Sequence, residues 1–142
     1  MKYFAIFVLL LTGCTTPRSA EEELLEQSLA TARAFVWEAE NTPPSPYYLK
    51  HRYTQHLVPP PLRSAAVAYK SLIVLNDARN PVHAVYIRQA YLEYIPLLVT
   101  IGRFAEVRQR CDEFVQIFPG DSKIETIEHW KKKYPRLSSP KP

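Results

Sequence analysis

Apolar and aromatic residues recur at steps of three and four along most of the chain, and this helical spacing limits the fold more than any other feature. The first such series lies in the segment 19–41 and comprises Leu25, Leu29, Ala32, Val36 and Ala39. The 142 residues include only three glycines, and so few glycines leave little room for tight β-hairpin turns. The sequence therefore predicts an all-α fold.

The segment 19–41 has the signals of one long amphipathic helix. Ser19 followed three residues later by Glu22 is a capping-box pattern, and the acidic run at 21–23 suits the positive end of a helix dipole. Three further residues widen the apolar stripe: Leu24, Ser28 and Phe35. We expect this stripe to pack on the rest of the domain, and the alternative is a free face for a partner helix.

Four further segments show helical spacing, with turn residues between them: 62–77, 82–100, 103–118, and a final helix that is capped by Asp121 or Ser122 and ends near Tyr134. The stretch 42–61 is rich in proline and tyrosine and is predicted to be an extended linker. Pro61 fits the first turn of a helix, Pro96 predicts a kink, and Gly102 provides a helix stop. The basic end 135–142 is expected to be a disordered tail.

Charge and cysteine content exclude some classes of protein. The chain carries 18 Lys and Arg residues against 14 Asp and Glu residues, an excess too small to indicate nucleic-acid binding. Cys111 occupies a core-facing helix position, where a free cysteine behaves as a small hydrophobe.

Basic residues concentrate near the C-terminus, at Lys131, Lys132 and Lys133. They are either a solvated end or a contact for lipid headgroups or acidic cell-wall polymer.

The first thirteen residues have the pattern of a secretory signal peptide. Lys2 is followed by an apolar run, Tyr3 to Leu11, that is shorter than the roughly 20 residues of a membrane span. The residues Leu11-Thr12-Gly13-Cys14 resemble the lipobox of bacterial lipoproteins. The resemblance implies cleavage before Cys14 and acylation of Cys14, which gives durable anchoring because several acyl chains insert together.

The resemblance also implies an address. Thr15 stands where lipoproteins retained in the inner membrane usually carry aspartate, so the outer membrane, on its periplasmic face, is the expected location. Residues 14–18 are a short lipidated tether. Four residues separate Cys14 from Ser19 and reach at most about 14 Å, so the first helix is expected to begin near the membrane surface.

Residues 88–121 are similar to a tetratricopeptide repeat (TPR), a helix-turn-helix unit of about 34 residues. The positions that carry the similarity are Tyr91, Tyr94, Ile95, Leu98, Gly102, Phe104, Val107, Cys111 and Pro119. The repeat is degenerate, because Ile95, Val107 and Phe114 are bulky where the family has small residues, and Pro96 is foreign to it. With 62–80 as a helix of an earlier repeat and 121–134 as a capping helix, residues 62–134 are expected to form a short antiparallel TPR-like stack.

"GRFAEVRQRCDEFVQIFPGDS" especially resembles repeats in periplasmic TPR lipoproteins, which implies binding of a protein or peptide and not catalysis. In the family the first helix of a repeat lines the concave groove. This gives Tyr86, Arg88, Tyr91 and Tyr94 as candidate partner-binding residues. The alternative for each tyrosine is a place in the core.

The sequence lacks the common catalytic motifs, with no glycine-rich phosphate loop, nucleophile elbow or HExxH. His51 and His56 are five residues apart and do not stack on a helix face, whereas Glu125 and His129 form an ordinary exposed pair. We therefore expect no enzyme, no cofactor and no metal.

The leading hypothesis is a membrane-anchored, periplasm-facing adaptor or scaffold that binds an envelope protein. The alternative is a structural envelope lipoprotein whose basic residues 131–133 contact cell wall or lipid headgroups.

Overall fold

The computed structural model describes residues 18–43 and 58–134, and these residues form five helices. In chain order they are α1 (Ala20–Asn41), α2 (Pro60–Leu75), α3 (Pro81–Thr100), α4 (Phe104–Ile117) and α5 (Ile124–Lys133). No strand occurs within the described ranges. The prediction of an all-α fold is confirmed.

Most helix ends form where local chemistry predicts them. The Ser19 hydroxyl accepts a hydrogen bond from the Glu22 amide at 3.1 Å, which caps α1. Pro61 lies in the first turn of α2, where its missing amide hydrogen costs nothing. Gly102 has φ of 76°, a left-handed conformation that glycine adopts without strain, and it ends α3 within a three-residue turn.

The start of the last helix differs from the prediction. Neither Asp121 nor Ser122 caps it, and α5 begins only at Ile124. The Asp121 carboxylate instead accepts a hydrogen bond from the Lys123 amide at 2.8 Å. It also forms an ion pair with Arg88. Such a local side-chain bond holds the backbone in a turn and competes with the helix.

Neighbouring helices pack in an antiparallel order. α1 packs on α2 and α3, α3 also packs on α2 and α4, and α4 packs on α5. Hydrogen bonds from Tyr94 to Glu106 and from Tyr91 to Glu113 show α3 and α4 running in opposite directions. Helices α1 and α3 run in the same direction, because His83 contacts Glu21 and Glu93 contacts Arg33.

The core extends from the interface of α1, α2 and α3 to the interfaces of α4 with α3 and α5. α1 contributes Leu29 and Ala32 to it, which confirms that the stripe of α1 packs on its own domain. The stripe is narrower than predicted, because Leu24 is 63% exposed and Ser28 is also exposed. Other fully buried side chains are Ile87, Tyr91, Tyr94, Ile95, Leu98, Val107, Cys111, Phe114 and Ile127.

We predict that Phe114→Ala strongly destabilises the protein. The Phe114 ring is fully buried and packs edge-on against Tyr91, with ring centroids 5.9 Å apart. Its removal leaves a cavity that costs about 3–5 kcal/mol. Urea unfolding followed by circular dichroism measures the change, with Leu24→Ala as the control at an exposed position. Equal effects of the two substitutions would contradict this description of the core.

A second prediction compares two glycines. No atom within 4 Å would meet a Cβ at either Gly102 or Gly120, but only Gly102 has a positive φ. Gly102→Ala should therefore lower the unfolding free energy by about 1 kcal/mol through backbone strain alone. Gly120→Ala should change it by less than about 0.5 kcal/mol. Thermal unfolding of both variants measures the difference, and a neutral Gly102→Ala would refute the strain.

Candidate binding cleft

A cleft of about 530 Å³ lies between α1, α2 and α3. Arg33, Trp37 and Glu40 line it from α1. Their spacing of four and three residues places them on one face of the helix. Val36 and Ala39, at the end of the apolar stripe, also line the cleft, so the cleft adjoins the face of α1 that enters the core.

The opposite wall of the cleft comes from α3. Glu93, Pro96 and Thr100 line it at steps of three and four residues, and the buried Leu97 lies beside them. Because α1 and α3 run in the same direction, the two lining faces lie side by side near the C-terminal ends of both helices. Leu62 and Tyr69 of α2 complete the lining.

The carboxylate of Glu93 joins the three helices at the cleft. Arg33 of α1 donates to it through Nε, at 3.0 and 3.1 Å from the two oxygens, and through Nη2 at 2.5 Å. The Tyr69 hydroxyl of α2 donates at 2.8 Å, and Gln89 of α3 donates at 2.7 Å. This network fixes the distance between α1 and α3 and therefore the width of the cleft.

The same network changes the acidity of its members. Burial opposes ionisation of Glu93, but the hydrogen bonds from Arg33, Gln89 and Tyr69 outweigh it, so the pKa of Glu93 lies below its ordinary value of 4.5. Burial, together with the hydrogen bond to Glu93, raises the pKa of the Tyr69 hydroxyl. Glu93 is therefore ionised, and Tyr69 neutral, at neutral pH.

The lining offers a large exposed aromatic surface. Trp37 is 66% exposed. Val36 and Leu62, which line the cleft beside it, are half-buried. Pro96 has no amide hydrogen and cannot donate to the Leu92 carbonyl one turn earlier. The Leu92 carbonyl therefore lacks its usual helical hydrogen bond.

Two of the four predicted partner-binding residues are core residues. Tyr91 and Tyr94 are almost fully buried, so for them the groove prediction is wrong and the core alternative is confirmed. Their hydroxyls donate to Glu113 and Glu106 of α4, each at 3.0 Å. Burial and the nearby Glu106 carboxylate raise the pKa of Tyr94 to about 12. These tyrosines hold α3 against α4.

The other two predicted residues, Tyr86 and Arg88, lie on different sides of α3. Partial burial and the carboxylates of Glu22 and Glu26 on α1 raise the pKa of Tyr86. Arg88 forms an ion pair with Asp121 in the turn before α5. The four residues therefore do not form one surface, and a partner role for Tyr86 or Arg88 stays a prediction.

The basic residues at the end of α5 are only partly free. Lys131 pairs with Asp112 of α4 at 2.7 Å and lies 3.6 Å from Glu128. The Lys133 ammonium lies 5.8 Å from the ring centroids of Trp130 and Tyr134. Lys132 is exposed. Three predicted features lie outside the described residues: the lipidation site Cys14, the part of the linker at 44–57 that contains its histidines, and the tail at 135–142.

The described residues show no concentration of reactive groups. Burial and the carboxylates of Asp112 and Glu128 raise the pKa of the Cys111 thiol to about 12, so this cysteine is a packing residue. Glu125 and His129 are exposed. Within residues 18–43 and 58–134, no three or more His, Cys, Asp or Glu side chains are grouped so that they could hold a metal ion.

In comparisons with known proteins, no family model matches the chain, and neither a curated protein nor a solved structure matches it. None of the helices in the described part of the chain is both long and apolar enough to cross a membrane.

Sequence reasoning missed the residues that line the cleft. Arg33, Trp37 and Glu40 were detectable as a second set at helical spacing on the first helix, offset from the apolar stripe. The role of Glu93 could not be predicted, because nothing in the sequence indicates that Arg33, sixty residues earlier, contacts it.

We predict that Glu93→Gln lowers stability at neutral pH by about 1–2 kcal/mol, because it removes the carboxylate that Arg33 binds. The pKa of Glu93 is lowered in the folded state. Its contribution is therefore complete above its ordinary pKa and is lost as the pH falls through the lowered one. The stability difference between wild type and Glu93→Gln should shrink below about pH 4.5.

Chemical denaturation between about pH 7 and pH 3 tests this dependence. Glu38→Gln is the control, because Glu38 is exposed and forms no ion pair within the described residues. A stability difference between wild type and Glu93→Gln that stays constant at all pH values would contradict the assigned role of the carboxylate.

Proposed function

We propose that this chain is a membrane-anchored, periplasm-facing adaptor that binds an extended segment of a protein partner in the cleft between α1, α2 and α3. The observation that carries the proposal is the exposed Trp37 side chain in an open cleft with apolar walls. Tryptophan is enriched among the residues that dominate binding energy at protein interfaces. A volume of about 530 Å³ suits a few side chains of an extended segment.

The resemblance of residues 88–121 to a TPR unit supports the same function. α1 with α2 and α3 with α4 are two antiparallel pairs packed side by side, so we interpret α1 and α2 as an earlier, diverged unit. Stacked helix pairs leave a continuous surface between units, which such proteins use for binding. The cleft lies between these two pairs.

The proposed anchor gives the cleft a defined place. The lipobox resemblance puts the acylated Cys14 close to the start of α1, and the cleft lies at the other end of this helix. A helix of 22 residues is about 33 Å long. If α1 stands away from the outer membrane, the cleft opens into the periplasm, where a partner reaches it.

The alternative function, contact of the basic end with cell wall or lipid headgroups, has less support. Lys131 already pairs with Asp112. The end of α5 lies beside the start of α4, because the Tyr134 and Phe104 rings stack with centroids 5.0 Å apart. This end of the molecule is remote from the start of α1, where the anchor is expected.

Site-specific photo-crosslinking tests the adaptor function. A benzophenone amino acid replaces Trp37 in the full-length, lipidated protein, and membranes are irradiated before mass spectrometry. The matched control replaces Val67 on α2, which is 65% exposed against 66% for Trp37 but does not line the cleft. We expect one dominant envelope protein to be crosslinked from position 37 and not from position 67.

A Cys14→Ser variant of the position-37 probe tests the anchor. We expect loss of the crosslink when the lipid is absent, because the protein then no longer concentrates at the membrane. Identical products from positions 37 and 67, or none from position 37, would refute binding in the cleft.

A further inference from the structure

Acidic side chains lie at the end of α1, beside the cleft. The last turn of α1 carries Glu38 and Glu40 and contains no basic residue, and the last turn of α3 is also without one. Helix C-termini carry a partial negative charge; those of α1 and α3 lie at this end of the molecule, together with the N-terminus of α2, which carries the opposite partial charge. The acidic side chains at the end of α1 therefore add to the negative end of the dipole of that helix.

The charges that line the cleft leave an excess of one carboxylate. Arg33 and Glu93 pair with each other and neutralise each other. Glu40 remains at the rim, and within residues 18–43 and 58–134 no basic side chain forms an ion pair with Glu40 or Glu38. The Glu40 carboxylate attracts a positively charged group of a ligand at this rim and repels a negatively charged one.

The apolar part of the cleft lies directly beside this carboxylate. Trp37 precedes Glu40 by three residues on the same face of α1, and both side chains line the cleft. An exposed indole face also attracts a cation directly through its π-electrons. A lysine or arginine bound here would therefore meet a carboxylate and an aromatic face together.

We propose that the cleft selects basic polypeptide segments, in which an apolar side chain packs against Trp37, Leu62 and Pro96 while a neighbouring lysine or arginine pairs with Glu40. This selectivity rests on the proposed function, because it specifies the chemistry of the segment that the adaptor binds. Charge steers the choice of segment, and the apolar contact supplies most of the affinity.

Fluorescence anisotropy with the full-length protein in detergent tests the selectivity. The probes are three fluorescein-labelled heptapeptides that differ only in the two residues flanking a central phenylalanine: lysines, glutamines or glutamates. At low salt we expect the lysine peptide to bind at least about tenfold more tightly than the glutamate peptide. The difference should narrow as salt screens the charges.

Two substitutions on α1 form the matched pair. Glu40→Gln should weaken binding of the lysine peptide about threefold and leave the glutamine peptide unchanged. Glu23→Gln removes an exposed carboxylate at the opposite end of the same helix and should change neither. Trp37→Ala should abolish binding of all three peptides, with its circular dichroism spectrum unchanged.

The outcomes separate the selectivity from the proposed function. Equal binding of the three peptides, still lost in Trp37→Ala, would overturn the selectivity and leave the adaptor function standing. No binding of any peptide, together with no crosslink from position 37, would refute both. Tighter binding of the lysine peptide when Arg136 and Lys141 are changed to glutamine would show that the chain's own basic residues occupy the cleft, which would overturn the proposal of an external partner.

Discussion

The carboxylate of Glu93 is the constraint on which the arrangement of the first three helices depends. It receives hydrogen bonds from Arg33 of α1, Tyr69 of α2 and Gln89 of α3. A charged group with this many donors is satisfied only when all three helices are in register. The network therefore sets the spacing of α1 and α3, and this spacing is the width of the cleft.

A second set of tyrosine–carboxylate bonds extends the same principle to α4. Tyr91 and Tyr94 are buried in the core, and their hydroxyls reach Glu113 and Glu106 at its edge. Arg110 lies next to both acids, 2.5 Å from Glu113 and 3.6 Å from Glu106. Buried tyrosine rings thus supply apolar area while their hydroxyls find partners at the boundary of the core. This explains why aromatic residues that suggested a binding groove instead join two helices.

The structure relates the core to the proposed function through α1. One face of this helix buries Leu25, Leu29 and Ala32, whereas a second face presents Trp37 to the cleft. A binding surface built on a helix that is itself part of the core is held in a fixed geometry, which reduces the entropy lost on binding. The acidic end of α1 gives that surface its charge.

The sequence by itself determined the helices and most of their ends, because spacing, caps, proline and Gly102 act within a few neighbouring residues. It also determined that α1 has an apolar stripe suited to packing. Only the tertiary structure decided which aromatic residues are buried and which are exposed, because Tyr91, Tyr94 and Trp37 occupy equally plausible helical positions. The cleft was decided there too: its central ion pair joins residues sixty positions apart, and such a contact exists only after the helices have packed.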